Sequence, residues 1–199
     1  SAYKTSAFHD FNDSKEWYQM DKLGHFWTCY HITQTSLNMP AQGTFHKTIN
    51  AVSGLMFLSA VEVLDGYSSG WGFSKTDMLA NVLGCAVALT TSKFKTTHPI
   101  QFKFGYHASP YANQNPNLLG QHVLTRILKD YNGQSYWLSY TPNLGFWPQW
   151  LAISSGYGIS GFIHAQPNAN SCKRYIKFSL DINPKGINFS KSYIKPLKW

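Results

Sequence analysis

The sequence predicts an α+β protein, with about three helices in the N-terminal half and a strand-rich C-terminal half. Two segments, Asp13–Glu16 and Ser74–Asp77, have the pattern of a capping box, a polar N-cap residue followed three positions later by an acid. From residue 100 onward the pattern changes to an alternation of period two, which is clearest in residues 175–182. This change of periodicity predicts that helices come first and a sheet follows.

Three segments have the apolar content and the boundaries expected of helices. The first covers about 15–38 and is stopped by Pro40, and the second covers about 45–64 and is apolar nearly all round. The third follows the second capping box over about 75–92. The uncharged run Thr48–Val61 would extend about 21 Å as a helix, against about 30 Å of hydrocarbon in a bilayer. We therefore expect buried or interfacial helices.

Four later segments are candidate strands. They are residues 100–106, 135–141, 150–156 and 174–182. Four strands are too few for a closed transmembrane barrel, for which about eight is the usual minimum. We expect a helical module over residues 1–98, followed by a basic, aromatic, strand-rich module over residues 99–199.

The formal net charge of +8 belongs to the C-terminal half. Residues 1–99 hold seven acids and seven bases, whereas residues 100–199 hold ten bases and two acids. The high apolar and aromatic content excludes a disordered chain, and three cysteines without CxxC spacing argue against a disulfide scaffold. The basic residues are dispersed among the strands and no nucleic-acid-binding module is recognisable, so we expect no nucleic-acid partner.

The composition is typical of a cell-envelope protein. Charged residues make up only 13% of the chain, and the mean hydropathy of −0.28 argues against a polytopic membrane bundle. The chain begins with Ser1, so we expect that a signal or anchor segment has been removed upstream. The predicted location is the periplasmic side of the envelope, in association with the outer membrane rather than the inner membrane.

Several polar residues lie where an apolar helix would not normally carry them. Glu62 follows a long apolar run, and burial of an unpaired carboxylate is costly. Asp21 and His25 are four residues apart, so they share one helix face. If the three helices pack together, their polar patches could meet at one end of the bundle. The candidate polar network is Asp21, Lys22, His25, Glu62, Asp65, Asp77, Asn81 and Gly84.

Two interpretations of this set stay open. In the first it is a buried polar network that fixes helix packing, in which Asp77 completes a capping box and Gly84 allows a close backbone approach. In the second it is a metal or catalytic site, because two or three carboxylates with one imidazole suit zinc, manganese or iron. The sequence contains no HExxH or Walker motif. We expect no cofactor other than such a metal ion.

The order of these motifs resembles the YfiM-like family of bacterial envelope proteins, a domain of unknown function. The segments that carry the resemblance are Met20–Phe26, Glu62–Ser68 and Gly72–Gly84. The wider pattern of DK-x-x-H, an acid in an apolar helix and D-x-x-x-N-x-x-G is similar to VanZ-like membrane proteins. The flanking segments Phe8–Trp17 and Leu128–Ser139 are similar to the longer version found in Bacteroidota. The resemblance implies an envelope location and supplies no established reaction.

Two functions follow as hypotheses. The first is a non-catalytic, membrane-associated subunit of an outer-membrane or periplasmic complex, which contacts other envelope proteins, anionic lipid or lipopolysaccharide. Its contact surface would comprise Lys173, Arg174, Lys177, Trp137, Trp147 and Trp150. The second is a membrane-proximal enzyme or metal-binding protein that acts on a lipid-linked or cell-wall substrate. His25 would then be the general base oriented by Asp21, with Glu62 and Asp77 as acids or metal ligands.

Overall fold

A computed structural model describes residues 4–93, 99–168 and 170–187. The three N-terminal helices are α1 (Met20–Leu37), α2 (Gly43–Gly66) and α3 (Lys75–Lys93). The four strands are β1 (Ile100–Tyr106), β2 (Gln134–Tyr140), β3 (Leu151–Ser160) and β4 (Lys173–Ile182), and two short helices, α4 (Pro116–Leu119) and α5 (Val123–Lys129), lie between β1 and β2. The predicted α+β class is confirmed.

The first helix begins at Met20 rather than near residue 15, because the chain first makes a left-handed turn. Trp17, Tyr18 and Gln19 have φ values of +48°, +45° and +65°. Asp13 does not cap a helix here, since its carboxylate accepts hydrogen bonds from the side chains of Ser74 and Thr76. The capping box predicted at residues 13–16 is therefore wrong.

Glycines allow α1 to lie close to both of its neighbours. A Cβ atom on Gly84 of α3 would collide with the carbonyl oxygen of Phe26, and a Cβ on Gly54 of α2 would collide with that of Cys29. Both carbonyls belong to α1, so the backbones approach more closely than larger residues would permit. This close packing brings the polar residues of the three helices together.

The outward side of α2 and α3 is apolar and exposed. Its members are Phe45, Ile49, Met56, Phe57, Val63 and Leu64 of α2, with Leu79, Val82 and Leu83 of α3. The 24 residues of α2 extend beyond the uncharged run Thr48–Val61 at both ends, and only 22% of its most apolar window is buried. Among the described residues α2 is the one helix long and apolar enough to cross a membrane, by length and composition alone.

The sheet is antiparallel throughout, in the order β1-β2-β3-β4. Its register places Phe102 beside Leu138, Leu138 beside Ser155, and Ser155 beside Phe178. Because side chains alternate along a strand, these four residues share one face of the sheet. The opposite face carries Lys103, Trp137, Gly156 and Lys177 in the neighbouring register positions.

Helix α1 covers only part of the first face. Phe26 and Tyr30 pack edge-to-face against Phe102 at the β1 side of the sheet. At the β4 side the apolar residues Ile176 and Phe178 stay exposed, Phe178 to 79%. The sheet therefore has a covered half and an exposed apolar half.

The two sequence halves share a buried apolar cluster. Trp17 and Met20 from the N-terminal half pack with Leu119, Ile159 and Phe162 from the C-terminal half. The predicted modules, residues 1–98 and 99–199, are thus in contact through a common core as well as through α1 on the sheet.

Candidate functional site

Besides Lys22, five of the predicted site residues lie close together where α1, α2 and α3 meet. Asp21 and His25 stand one turn apart on α1, Glu62 lies near the end of α2, and Asp77 and Asn81 lie in the first half of α3. The loop between α2 and α3 is short, so the end of one helix and the start of the next are neighbours in space. This geometry brings four titratable side chains from three helices to one place.

The imidazole of His25 stands between one amide and three carboxylates. Its Nδ1 atom is 3.1 Å from Oδ1 of Asn81, and because an amide oxygen only accepts, Nδ1 is the donor. Nε2 faces Oε1 of Glu62 at 3.5 Å, Oδ2 of Asp77 at 3.9 Å and Oδ1 of Asp21 at 4.0 Å. Asn81 therefore orients the ring so that Nε2 is directed at the acids.

Glu62 and Asp77 each give one oxygen to a protein donor. Oε2 of Glu62 accepts a hydrogen bond from the backbone N–H of Ser74 at 3.1 Å, and Oδ1 of Asp77 lies 2.7 Å from Nζ of Lys22. In both residues the other oxygen is the one that faces Nε2 of His25. The protein donors thus fix each carboxylate while directing one oxygen of each at the imidazole.

Asp21 is held by two partners, one of them from the C-terminal half. Its Oδ1 atom accepts a hydrogen bond from the hydroxyl of Tyr131 at 2.6 Å, and its Oδ2 atom is 3.3 Å from Nζ of Lys22. Burial, and next the charge of Asp21, raise the pKa of Tyr131, so this hydroxyl stays a donor. Tyr131, from the C-terminal half of the chain, therefore completes the site.

Lys22 contacts three acids, Asp13, Asp21 and Asp77. Burial alone would lower the pKa of Lys22, but the neighbouring carboxylates outweigh it and raise the pKa. Burial likewise raises the pKa of Asp13, but hydrogen bonds from Lys22 and Ser74 outweigh it and hold the pKa below its usual value. Lys22 and Asp13 are therefore both charged, and their charges offset each other.

In Glu62 and Asp77, burial and neighbouring negative charges outweigh the favourable contacts. Burial, followed by the charge of Asp77, raises the pKa of Glu62, and burial, followed by the charge of Asp21, raises the pKa of Asp77. Burial also raises the pKa of Asp65, one turn further along α2. Bound protons or a bound cation would lower the free energy of such a cluster.

The capping box predicted at Ser74–Asp77 is only half formed. Oγ of Ser74 accepts a hydrogen bond from the backbone N–H of Asp77 at 3.1 Å, as a capping box requires. The acid that accepts from the backbone of Ser74, however, is Glu62 of α2. The carboxylate of Asp77 is directed at Lys22 and His25 instead, and so it is available to the site.

The cluster forms one wall of a cavity of about 730 Å³, within the usual size range of small-molecule sites. The acids that line it are Asp13, Glu16, Asp21, Glu62, Asp65 and Asp77. The aromatic and aliphatic residues that line it include Trp17, Trp27, Phe104, Leu118, Ile127, Tyr131 and Tyr136. The cavity therefore combines a polar, acidic wall with a large apolar one.

The donor atoms have the spacing of a metal site. One ligand atom each of Asp21, His25 and Asp77 lies within 4.8 Å of the others. Two ligands about 2.1 Å from a tetrahedral ion are about 3.4 Å apart, close to the 3.5 to 4.0 Å measured from Nε2. Nδ2 of the buried Asn81 has no hydrogen-bond partner within the described parts of the chain. One imidazole nitrogen with carboxylate oxygens suits zinc, manganese or iron.

Several contributors lie outside the predicted set. Asp13 has the local pattern of a helix cap, and Tyr131 is 110 positions from Asp21 along the chain. No pattern within a single helix could have identified either residue. Gly84, a member of the predicted set, lies three residues after Asn81 on α3, where its backbone packs against Phe26 and Cys29 of α1.

The predicted basic and aromatic surface is divided between the two faces of the sheet. Lys173, Lys177 and Trp137 project from one face, whereas Arg174 projects from the other. Arg174 stacks on the ring of Tyr18 at 4.1 Å. The two remaining members are in the β2–β3 connection, where Nε1 of Trp147 donates to the carbonyl of Leu151 and Trp150 is half exposed.

Residues 10–93 match a family model described as a predicted periplasmic lipoprotein (DUF2279). The match covers less than half of the chain and includes α1, α2 and α3. It also includes Asp21, His25, Glu62 and Asp77, which we call the acid–histidine cluster. No curated protein and no solved structure matches the chain. The match supports the predicted envelope location on the periplasmic side, while the finer resemblance to YfiM-like and VanZ-like proteins stays a prediction.

Proposed function

We propose that this envelope protein binds a divalent transition-metal ion between Asp21, His25, Glu62 and Asp77. The observation that carries the proposal is the direction of the donor atoms. One oxygen of each carboxylate faces Nε2 of His25. Ser74 and Lys22 hold the other oxygens of these acids, and Asn81 holds Nδ1 of His25. Tyr131 donates to the same Oδ1 of Asp21 that faces the imidazole. Such outer partners are the usual means by which proteins orient metal ligands.

The adjoining cavity suits a substrate with an apolar part. A bound ion would polarise a phosphoryl or carbonyl oxygen, or a water molecule, at the acidic wall. The aromatic and aliphatic wall would meanwhile bury the apolar part of the same molecule. A lipid-linked cell-wall precursor is one class of envelope molecule that combines these two characters.

Metal binding by the purified full chain tests this proposal. Elemental analysis and titration calorimetry with zinc and manganese should show one site per chain in the wild-type protein. His25→Ala and Glu62→Gln should weaken binding at least about 100-fold, and Asn81→Ala, which removes an outer partner, about 10- to 100-fold. Asp10→Asn, which removes an exposed acid paired with Lys75, is the matched control and should bind as the wild type does.

Two results would count against a metal site. One is a wild-type protein that takes up neither ion and whose melting temperature is unchanged by added metal or chelator. The other is equal affinity in the wild type and in His25→Ala. Either result would leave the cluster as a hydrogen-bonded network that fixes helix packing.

The exposed half of the sheet supports a second candidate, a non-catalytic subunit of an outer-membrane or periplasmic complex. Ile176, Phe178 and Leu180 form an apolar row along β4, and Ile153 continues it on β3. Exposed apolar surface of this kind is typical of interaction sites. Cross-linking in intact cells should capture a defined partner that Ile176→Ser with Phe178→Ser loses. Recovery of only the uncross-linked chain would contradict this candidate.

A further inference from the structure

We propose that the mouth of the cavity docks on an anionic phospholipid bilayer, with apolar side chains of α5 and of the α2–α3 loop inserted among the acyl chains. The docking rim consists of Phe11, Trp71, Val123, Leu124 and Leu128. The rim itself does not depend on the metal. The use we assign to it, admission of a lipid-linked substrate to the cavity, rests on the proposed function.

Helix α5 presents three of its four aliphatic side chains to the outside. Val123, Leu124 and Leu128 are 70%, 77% and 72% exposed, and no residue of α5 is buried. Arg126 lies toward the protein, where it donates to the carbonyl of Gly120 and to Oδ1 of Asn113. Val123, Leu124 and Leu128 therefore form an exposed apolar surface, while Ile127 lines the cavity and Arg126 contacts the protein.

Two aromatic residues continue the rim on the other side of the mouth. Trp71 and Phe11 are both exposed, and both line the cavity together with Leu128. Phe11 is held there by the hydrogen bond from its backbone N–H to the carbonyl of Phe73. Trp and Phe at the edge of an apolar opening are typical of residues that sit at the boundary between headgroups and acyl chains.

The charge of Lys129 and the continuity of the apolar surface with α2 favour a lipid bilayer as the partner of the docking rim. Lys129 is exposed at the mouth, next to Leu128, where it would meet anionic headgroups. Val61 of α2 lines the cavity, and Phe57 and Leu64, one turn on either side of it, are exposed. The apolar surface thus runs from the mouth onto the helix whose length and composition would allow it to enter a bilayer.

The course of the N-terminal segment agrees with this orientation. The backbone N–H groups of Ser6 and His9 donate to the carbonyls of Tyr67 and Gly66, at the start of the α2–α3 loop. The matched family is described as lipoproteins. Residues 6–9 run along the α2–α3 loop, which carries Trp71 of the docking rim, so a lipid attached close to these residues would bring the mouth to the membrane.

This orientation defines the class of substrate more closely. An amphiphile could pass its apolar chain from the bilayer into the cavity without exposing that chain to water. Its polar end would then lie at the acidic wall, beside His25. We therefore expect a membrane lipid or lipid-linked molecule rather than a water-soluble one.

Flotation of the full chain with vesicles of phosphatidylethanolamine and phosphatidylglycerol tests the docking rim. Leu124→Ser combined with Leu128→Ser should lower the ratio of bound to free protein at least about tenfold, because two inserted side chains are lost. Leu144→Ser combined with Phe146→Ser removes two exposed apolar residues from the β2–β3 connection and is the matched control. Vesicles of phosphatidylcholine alone should bind more weakly, since Lys129 would lack an anionic partner.

Quenching by brominated phospholipids identifies the residues that insert. Trp71 and Trp150 have nearly equal exposure, 49% and 47%, but Trp71 lies at the mouth and Trp150 lies in the β2–β3 connection, just before β3. We expect Trp71→Phe to remove most of the quenching and Trp150→Phe to remove little. The reverse result would assign the membrane surface to the sheet and overturn the proposal.

The controls separate this proposal from the metal site. His25→Ala should float as the wild type does, and the double leucine variant should still bind zinc. A wild-type protein that does not float would overturn the docking proposal. So would a dimer in solution that the double leucine variant abolishes, because the rim would then be covered by a second copy of the chain.

Discussion

At the residue scale, the acid–histidine cluster is built from side chains that serve two partners at once. The positions of Asp21, His25 and Glu62 could be anticipated, because helical spacing and an apolar context mark them locally. The partners that orient these side chains could not be anticipated, because Ser74 contacts Glu62 only through the turn between two helices. A sequence pattern records which residues share a helix face, but not which face of another helix they meet.

On the sheet, Asp181 likewise binds several partners at once. Its Oδ2 atom accepts hydrogen bonds from Nζ of Lys103 at 2.6 Å, Oγ of Ser139 at 2.6 Å and Oγ of Ser154 at 3.1 Å. Burial would raise the pKa of Asp181, but these bonds outweigh it and lower the pKa from its usual value of 3.8. One carboxylate thereby connects all four strands.

We predict a pH-dependent contribution of Asp181 to stability. The folded state binds fewer protons at this group than the unfolded state does, so the group stabilises the fold above pH 3.8. That contribution is lost as the pH falls through the lower, folded-state pKa. Asp181→Asn should reduce the free energy of unfolding by about 1–2 kcal/mol at neutral pH, as measured by urea denaturation. The difference from the wild type should shrink below pH 3.8, and a difference independent of pH would contradict the assignment.

At the scale of elements, periodicity was sufficient to locate three helices and four strands. It failed at the start of α1, where a polar residue followed by an acid looks like a cap but belongs to a tertiary network. It also could not show which helix faces stay exposed, because the apolar outer sides of α2 and α3 have the same composition as a core. Local patterns therefore predicted the elements better than their ends and environments.

The crossing of α1 and α3 provides a test at this scale. Gly84→Ala should destabilise the protein by about 1–3 kcal/mol, because the added methyl group overlaps the carbonyl oxygen of Phe26. Gly145→Ala is a suitable control, since its Cβ would meet nothing within 4 Å. Urea denaturation of the two variants should separate them clearly. Equal effects would mean that the helix crossing relaxes without cost.

At the scale of the whole molecule, the two sequence halves form one packed structure around shared aromatic residues. The ring of Trp17 lies 5.7 Å from that of Phe162 and 5.0 Å from that of Tyr131. The hydroxyl of Tyr157 on β3 donates to the carbonyl of Tyr18 at 2.7 Å. The change of composition near residue 98 therefore marks a change of secondary structure within a common core.

We predict that the two halves unfold together. Trp17→Ala should lower the free energy of unfolding by about 3–5 kcal/mol, because it removes a large buried side chain from their common cluster. Far-ultraviolet circular dichroism and tyrosine fluorescence should report the same midpoint, in this variant and in the wild type. Separate midpoints for the two signals would instead support independent modules. Phe146→Ala, at an exposed position, should leave the midpoint unchanged.

The left-handed turn at Trp17, Tyr18 and Gln19 has a consequence for the order of folding. Such a conformation costs about 1–2 kcal/mol for each residue other than glycine. The contacts that offset this cost come from Phe162, Tyr157 and Arg174, all in the C-terminal half. The turn would therefore close only once the sheet exists. The first turn of α1, with Asp21, would then be the last part of the site to reach its final position.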